Sequence, residues 1–178
     1  TLVGVINADN GLALLDFRAA ETTFQLLTQV AGRAGEVILQ TSRPKHYAIQ
    51  AAMHHDYPGF YAQEIHQRES ASYPPFRRMA HFLIESEDPE VAERSAVLLR
   101  RLVRESIELL HYDGLQILGP SPAVIRRIMK KYRWNIALLS RSSQRLNTLT
   151  RTARDAFQEA SKSATVQLKV DLDPYGSF

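Results

Sequence analysis

Apolar positions along this chain follow two rhythms, and the change between them falls near residue 73. Before it, short apolar runs alternate with helical stripes. Leu2–Ile6 is an apolar run of strand length bounded by Asn7 and Asp9. Ala20, Phe24, Leu27 and Val30 are spaced by 4, 3 and 3, which predicts a helix from about Ala19 to Val30, broken by Gly32 and Gly35. Val37–Leu39 is a second short buried strand. Pro44 suits the first turn of a further helix through Ala48, Ala52 and His55 or Asp56, which Pro58-Gly59 then stops. Strands alternating with helices predict a parallel α/β sheet. Two strands cannot make a stable α/β layer, so this segment is expected to be a piece of a domain completed elsewhere.

Pro74-Pro75 marks a boundary, because neither residue donates to a sheet and Pro75 keeps Pro74 out of the α region. Beyond it, Ala80, Phe82 and Ile84 alternate with Met79, His81, Leu83 and Glu85, predicting a half-buried strand. Asp88-Pro89 is an N-cap followed by Pro at N1. The stripe Ala92, Ala96, Leu99, Val103, Ile107, Leu110 predicts a strong amphipathic helix ending near Gly114. Leu115–Leu118 and Trp134–Leu139 read as strands. Leu146, Leu149, Ala153, Phe157 and Ala160 form a second helical stripe, and Val166, Leu168, Val170 and Leu172 alternate along a last strand. The order β-α-β-β-α-β is the split-βαβ, ferredoxin-like arrangement, an α+β domain whose two helices cover one sheet face. About 100 residues suffice for an independent core. The expected domains are therefore 1–72 and 73–178.

Composition narrows the picture. Apolar residues make up 44% and charged residues 23%, which argues against intrinsic disorder. No apolar run reaches the roughly 18 residues that span a bilayer. With no Cys, disulfides, thiolate zinc sites and cysteine nucleophiles are excluded, and a reducing compartment is expected. The opening Thr1-Leu2-Val3-Gly4-Val5-Ile6 has no basic region ahead of an apolar stretch, so it is not a signal peptide and looks like a chain cut within a buried strand.

Charge changes the picture further. From Val124 to Arg154 there are nine Lys or Arg and no acid, while the remaining residues carry a net charge of −6. A basic block in an otherwise acidic chain suggests a surface for a polyanion, nucleic acid foremost. Arg126, Arg127, Lys130, Lys131 and Arg133 fall in the predicted connection between two central strands, just before Trp134. Such a connection can present cations to phosphates beside one aromatic for base stacking.

In the first segment, Gln29-Val30-Ala31-Gly32-Arg33-Ala34-Gly35 closes a helix. An Arg beside flexible glycines at a helix end on a parallel sheet can swing toward a phosphate. A C-cap with an exposed Arg would look the same.

The Q-V-A-G-R-A-G stretch resembles motif VI of superfamily-two helicases. Thr1–Gly11 and Asp16-Phe17-Arg18-Ala19-Ala20-Glu21 resemble the motif V region of the primosomal replication-restart helicases, the primosomal protein N′ family. The resemblance continues through Glu36-Val37-Ile38-Leu39-Gln40-Thr41, Tyr73-Pro74-Pro75-Phe76, Leu118-Gly119-Pro120-Ser121-Pro122-Ala123, Tyr132-Arg133-Trp134 and Asp171-Leu172-Asp173-Pro174. It implies the α/β end of a second RecA-like helicase lobe, followed by the family's C-terminal DNA-binding domain. The implied activity is ATP-dependent 3′ to 5′ DNA unwinding at stalled forks and D-loops, with primosome assembly, in the bacterial cytoplasm and at the nucleoid. ATP and Mg²⁺ would serve the whole protein, and zinc an upstream Cys-rich module. No G-x-x-x-x-G-K-[ST] is present, so this chain alone is expected neither to hydrolyse ATP nor to bind any of these cofactors.

Arg33 and Gln29 are the expected catalytic contributors, with Arg33, Gly32 and Gly35 facing nucleotide. The family pattern continues with a second Arg in a short basic turn, the expected arginine finger. Here Gly35 runs directly into Glu36, through deletion or omission of a segment, and the register of the flanking residues favours omission. DNA binding is expected at Arg126, Arg127, Lys130, Lys131, Arg133 and Trp134. The family's recruitment by the acidic tail of single-stranded-DNA-binding protein points to Arg141 and Arg145 as peptide receivers, beside other primosome partners and no membrane.

The rival class is a non-enzymatic nucleic-acid-binding or scaffold module, resembling small ribosomal proteins of β-α-β-β-α-β type. Such a module has no use for a motif VI-like segment. His46, His54, His55 and Asp56 lack the spacing of a metal site, and no G-x-S-x-G supports a hydrolytic triad.

Overall fold

The computed structural model describes residues 2–12, 17–161 and 165–174. Thr1, Asp16 and the chain beyond Pro174 lie outside them. The chain divides into two compact units between Ala71 and Ser72.

In the first unit, β1 (Leu2–Val5) pairs in parallel with β2 (Glu36–Leu39). Between them run α1 (Asp9–Leu12) and α2 (Ala19–Ala31). α3 (Tyr47–Met53) follows, its first turn capped by His46, whose Nδ1 accepts from the Ala48 amide. The core gathers Phe24, Leu27, Ala48, Ile49, Ala52 and Phe60, with the Phe24 and Phe60 rings stacked at 4.2 Å. Pro58-Gly59 does not stop a helix; it begins one, α4 (Tyr57–Ser70). Proline fits the first turn, where its missing N–H would have no partner. Asp56 caps that turn by accepting from the Gly59 amide at 2.9 Å. A Cβ on Gly59 would collide with the Asp56 carboxylate, so glycine here admits a cap.

In the second unit, β3 (Arg78–Ser86), β4 (Gln116–Ile128), β5 (Lys131–Ser140) and β6 (Val166–Leu172) form an antiparallel sheet of order β4-β5-β3-β6. α5 (Pro89–Leu109) links β3 to β4 and α6 (Ser143–Ala160) links β5 to β6. This connectivity is compatible with the ferredoxin-like arrangement. Asp88 caps α5 through the Glu90 and Val91 amides, with Pro89 at N1. Ala96, Leu99 and Val103 of α5 and Leu146, Leu149, Ala153 and Phe157 of α6 close on Ala80, Phe82, Ile84, Ile136 and Leu138.

Three expectations need correction here. β3 is buried on both faces, with Met79, His81, Leu83 and Glu85 buried as well as the helix-facing residues. It lies between two neighbouring strands, and the long side chains of Arg133 and Lys169 close over Glu85 as ion partners. β4 runs for 13 residues, far past Leu118. It also lies at the sheet edge, so the strands joined by the basic segment are one edge and one central strand.

Candidate functional site

The long β4–β5 hairpin places most of the predicted nucleic-acid residues. Gly119 sits at φ +90 with space for no Cβ, because Asn135 O would lie 2.6 Å away; it makes the first register shift in β4. A second irregularity between Pro122 and Arg127 pushes Val124, Ile125 and Arg126 out of the ladder. Bulges at an edge strand also discourage pairing with another sheet. Met129 and Lys130 make the two-residue turn, both with positive φ (48 and 66).

The five cations thus line the distal hairpin rather than a loop, and they differ sharply in freedom. Arg133 points across the sheet to Glu85, Nε to Oε1 at 3.3 Å, with its side chain 12% exposed. Glu85 also receives Lys169 at 2.6 Å. Lys131 donates to the Gln167 side chain at 2.8 Å. Arg127 lies over the Tyr132 ring at 5.0 Å, its cation still exposed. Arg126 and Lys130 are exposed, and neither has an ion pair or hydrogen bond among the described residues. Trp134 packs against the helix-covered core beside Ile136 and Leu138, so its ring belongs to the fold's interior side.

Hydrophobic tip residues are the feature that charge counting missed. Met129 is 91% exposed, and Val124, Ile125 and Ile128 are exposed beside the cations. The signal was present in Val124-Ile125-Arg126-Arg127-Ile128-Met129, an apolar run interleaved with bases, without an acid.

Of the expected peptide receivers, Arg145 is committed locally: Nη1 meets Asp113 at 2.9 Å and the guanidinium lies over Tyr112 at 5.3 Å. Arg141 is exposed in the turn before α6. On the same sheet face as Arg133, burial holds the His81 imidazole down to about 4, helped by nearby Arg133 and opposed by a hydrogen bond with Asn135.

In the first unit, Gln29 and Arg33 are exposed at the end of α2, and Gly32 is its C-cap. Gly35 leads into β2 and borders a cavity of about 300 Å³ lined also by Leu27, Ala34, Glu36, Met53 and His55. Arg33 and Gln29 are not among its walls. The sequence also gave no warning of a clamp at the C-terminal ends of the two parallel strands. There Asp9 accepts from Thr41 Oγ1 at 2.6 Å, from the Ser42 amide at 2.6 Å and from Ser42 Oγ at 2.8 Å. These bonds hold its carboxyl down at about 2. A half-buried network joins α2 to α4: Arg18 meets Glu21, Arg68 bridges Glu21 and Glu64, and Tyr47 Oη donates to Glu64 at 2.6 Å. Arg18 foremost lowers the Glu21 carboxyl, while burial and then the Glu64 bond push the Tyr47 phenol up. Signals for this network lie in two segments 47 residues apart, beyond any local pattern.

A family model described as the primosomal protein N C-terminal domain matches residues 69–175. "Replication restart protein PriA" of Bacillus subtilis (strain 168) is 36% identical across 98% of this chain and 22% of its own length. The protein of the same name from Treponema pallidum (strain Nichols) is 38% identical across 97% of the chain and 26% of its length. That from Synechocystis sp. (strain ATCC 27184 / PCC 6803 / Kazusa) is 43% identical across 76% and 17%. The chain spans about a quarter of the length of the first two relatives. A match over more than half its residues, including the whole split-βαβ sheet and its basic hairpin, places this chain in the primosomal protein N C-terminal domain family.

Proposed function

We propose that the second unit is a DNA-binding domain that works in replication restart, with the distal β4–β5 hairpin as its phosphate-contacting face. The observation that carries this reading is the pair Arg126 and Lys130, exposed and uncommitted on a hairpin inside a segment of nine cations and no acid. Arg127 joins them from its perch on Tyr132. Arg133 serves the sheet through Glu85, and Trp134 serves the core, so neither belongs to the contacting set. Lys131 contributes after exchanging Gln167 for phosphate.

In the same reading, the first unit is the end of a second RecA-like lobe in a longer ATP-dependent 3′ to 5′ helicase. Arg33 and Gln29 would there face nucleotide bound with Mg²⁺ by residues of the rest of that protein, while zinc would occupy another module. Exposed Arg141 would take part in docking the acidic tail of single-stranded-DNA-binding protein, with other primosome proteins as further partners. Arg145 would need to release Asp113 first.

The test is DNA binding by the 178-residue chain as a function of salt, for the native sequence and for Arg126→Gln/Lys130→Gln. Each lost phosphate contact should reduce the log–log salt slope by about 0.7 on single strands. The double variant should therefore lower the slope by more than one and weaken binding without regard to sequence. An unchanged slope would place the DNA elsewhere.

A further inference from the structure

We infer that β6 is an open sheet edge that pairs with β6 of a second copy of this chain, antiparallel and in a register centred on Val170. The pairing joins two four-stranded sheets into one continuous sheet.

The two edges of the second unit's sheet are built differently. β4 carries two register shifts and the prolines Pro120 and Pro122, features that keep another strand away. β6 carries neither. Its pairing with β3 runs without a shift from Val166 to Leu172, and no strand lies on its other side among the described residues. Such an edge leaves a row of backbone donors and acceptors ready to template another strand. Lys169 is the residue that could guard it, but its ammonium meets Glu85 at 2.6 Å and so serves the sheet itself. Apolar surface is left over there as well. Leu172 is 45% exposed, and Val166, Leu168 and Val170 are only half-buried although they pack on the core.

The ladder and the charges together choose the occupant and the register. The Asp173 amide donates to Met79 O at 2.7 Å, so Asp173, Asp171 and Lys169 turn their backbone groups toward β3. Leu168, Val170 and Leu172 therefore turn theirs outward, where a second strand can bond them. Two copies of β6 meet about a two-fold axis, and directly opposed residues share a face. An axis at Lys169 or Asp171 sets like charges against each other. One at Leu172 sets Asp171 against Asp173, and one at Leu168 gives Lys169 only Gln167 and leaves Asp171 without a cation.

With the axis at Val170, Lys169 of each copy faces Asp171 of the other, and Leu168 faces Leu172. Asp171 is exposed and has no ion pair among the described residues, while Lys169 keeps N–H donors beyond its bond to Glu85. Both turn their backbones inward, so they meet at the positions between the new hydrogen bonds, where opposed side chains come closest. The strand is its own complement. The β4–β5 hairpin lies on the far edge of the sheet, so the pairing leaves it free and stands apart from the DNA-binding reading.

The experiment is sedimentation equilibrium of the 178-residue chain across a micromolar concentration series. The native chain should show a reversible monomer–dimer equilibrium. Asp171→Lys turns two attractive cross-strand pairs into repulsive ones and should weaken the dimer about tenfold, with Trp134 fluorescence unchanged to show that the fold is kept. Ile38→Lys, on an exposed strand of the first unit, should leave the equilibrium as it was. Because the chain has no cysteine, single thiols read the register directly. Val170→Cys should form an intermolecular disulfide under mild oxidation, whereas Leu172→Cys should not, since it faces Leu168. A native chain that stays monomeric overturns the inference, as does a dimer indifferent to Asp171→Lys. Loss of the dimer in Ile38→Lys would assign association to the bare parallel strands instead, and crosslinking at 172 in place of 170 would overturn the register.

Discussion

The two units solve the burial problem differently. The second closes a four-stranded sheet with two helices, and its large apolar side chains at Phe82, Leu99, Ile136 and Leu149 are wholly buried. The first has a core under its helices, but its parallel strand pair stays open, with Leu2 62%, Ile38 58% and Ile6 83% exposed. Parallel strands are ordinarily covered on both faces. In one unit the exposed apolar groups sit at a charged hairpin tip, and in the other along bare strands. The first pattern suits a ligand, whereas the second suits missing neighbours.

The largest effect should come from separating the units. Residues 72–178 expressed alone should fold and unfold cooperatively, whereas 1–71 alone should show no cooperative transition in thermal or urea unfolding. A cooperative transition in the first segment would erase the distinction. Next in size is Gly119→Ala, which forces a side chain against Asn135 O at positive φ. It should cost the second unit about 2–4 kcal/mol by urea unfolding, from steric overlap and backbone strain together.

Acid should sharpen the comparison. His81 lies at about 4 in the folded unit against 6.5 unfolded, so the unfolded chain binds the proton first. The stability from keeping it neutral is complete above about pH 6.5 and is lost as pH falls toward 4. This amounts to on the order of 3 kcal/mol. Trp134, the only tryptophan and part of the second unit's core, reports that loss by fluorescence. Asp9 in the first unit is lowered from 3.8 to about 2, so its clamp weakens only below pH 3.8. Exchange of the Ser42 amide should therefore stay slow at pH 5, where the second unit has already lost stability. His81→Gln should abolish the earlier window and leave the later one.

Much of the second unit was legible in the sequence. Asp88-Pro89 and the Ala92–Val103 stripe specify α5 locally, and period-two alternation specifies β6. Elements set by non-local partners were not legible. The ion pair of Arg133 was not legible because Glu85, its partner, lies 48 residues earlier on another strand. Pro120 and Pro122 hid the length of β4, since an edge strand with bulges tolerates prolines that an interior one excludes. Helix α4 was hidden by Pro58-Gly59, because the same dipeptide stops or starts a helix depending on an upstream cap. Gly59→Ala, which displaces that cap, should speed amide exchange in the first turn of α4 about fivefold. Arg33→Ala should have the smallest effect, leaving amide exchange along α2 unchanged, since Arg33 is exposed at a helix end.

The central claim, that the hairpin and not the open α/β unit meets DNA, is tested most directly by hydrogen exchange with and without a single-stranded oligonucleotide. Protection should rise across residues 124–131 and leave 29–35 unchanged. Protection confined to 29–35, or spread along β1 and β2, would contradict it.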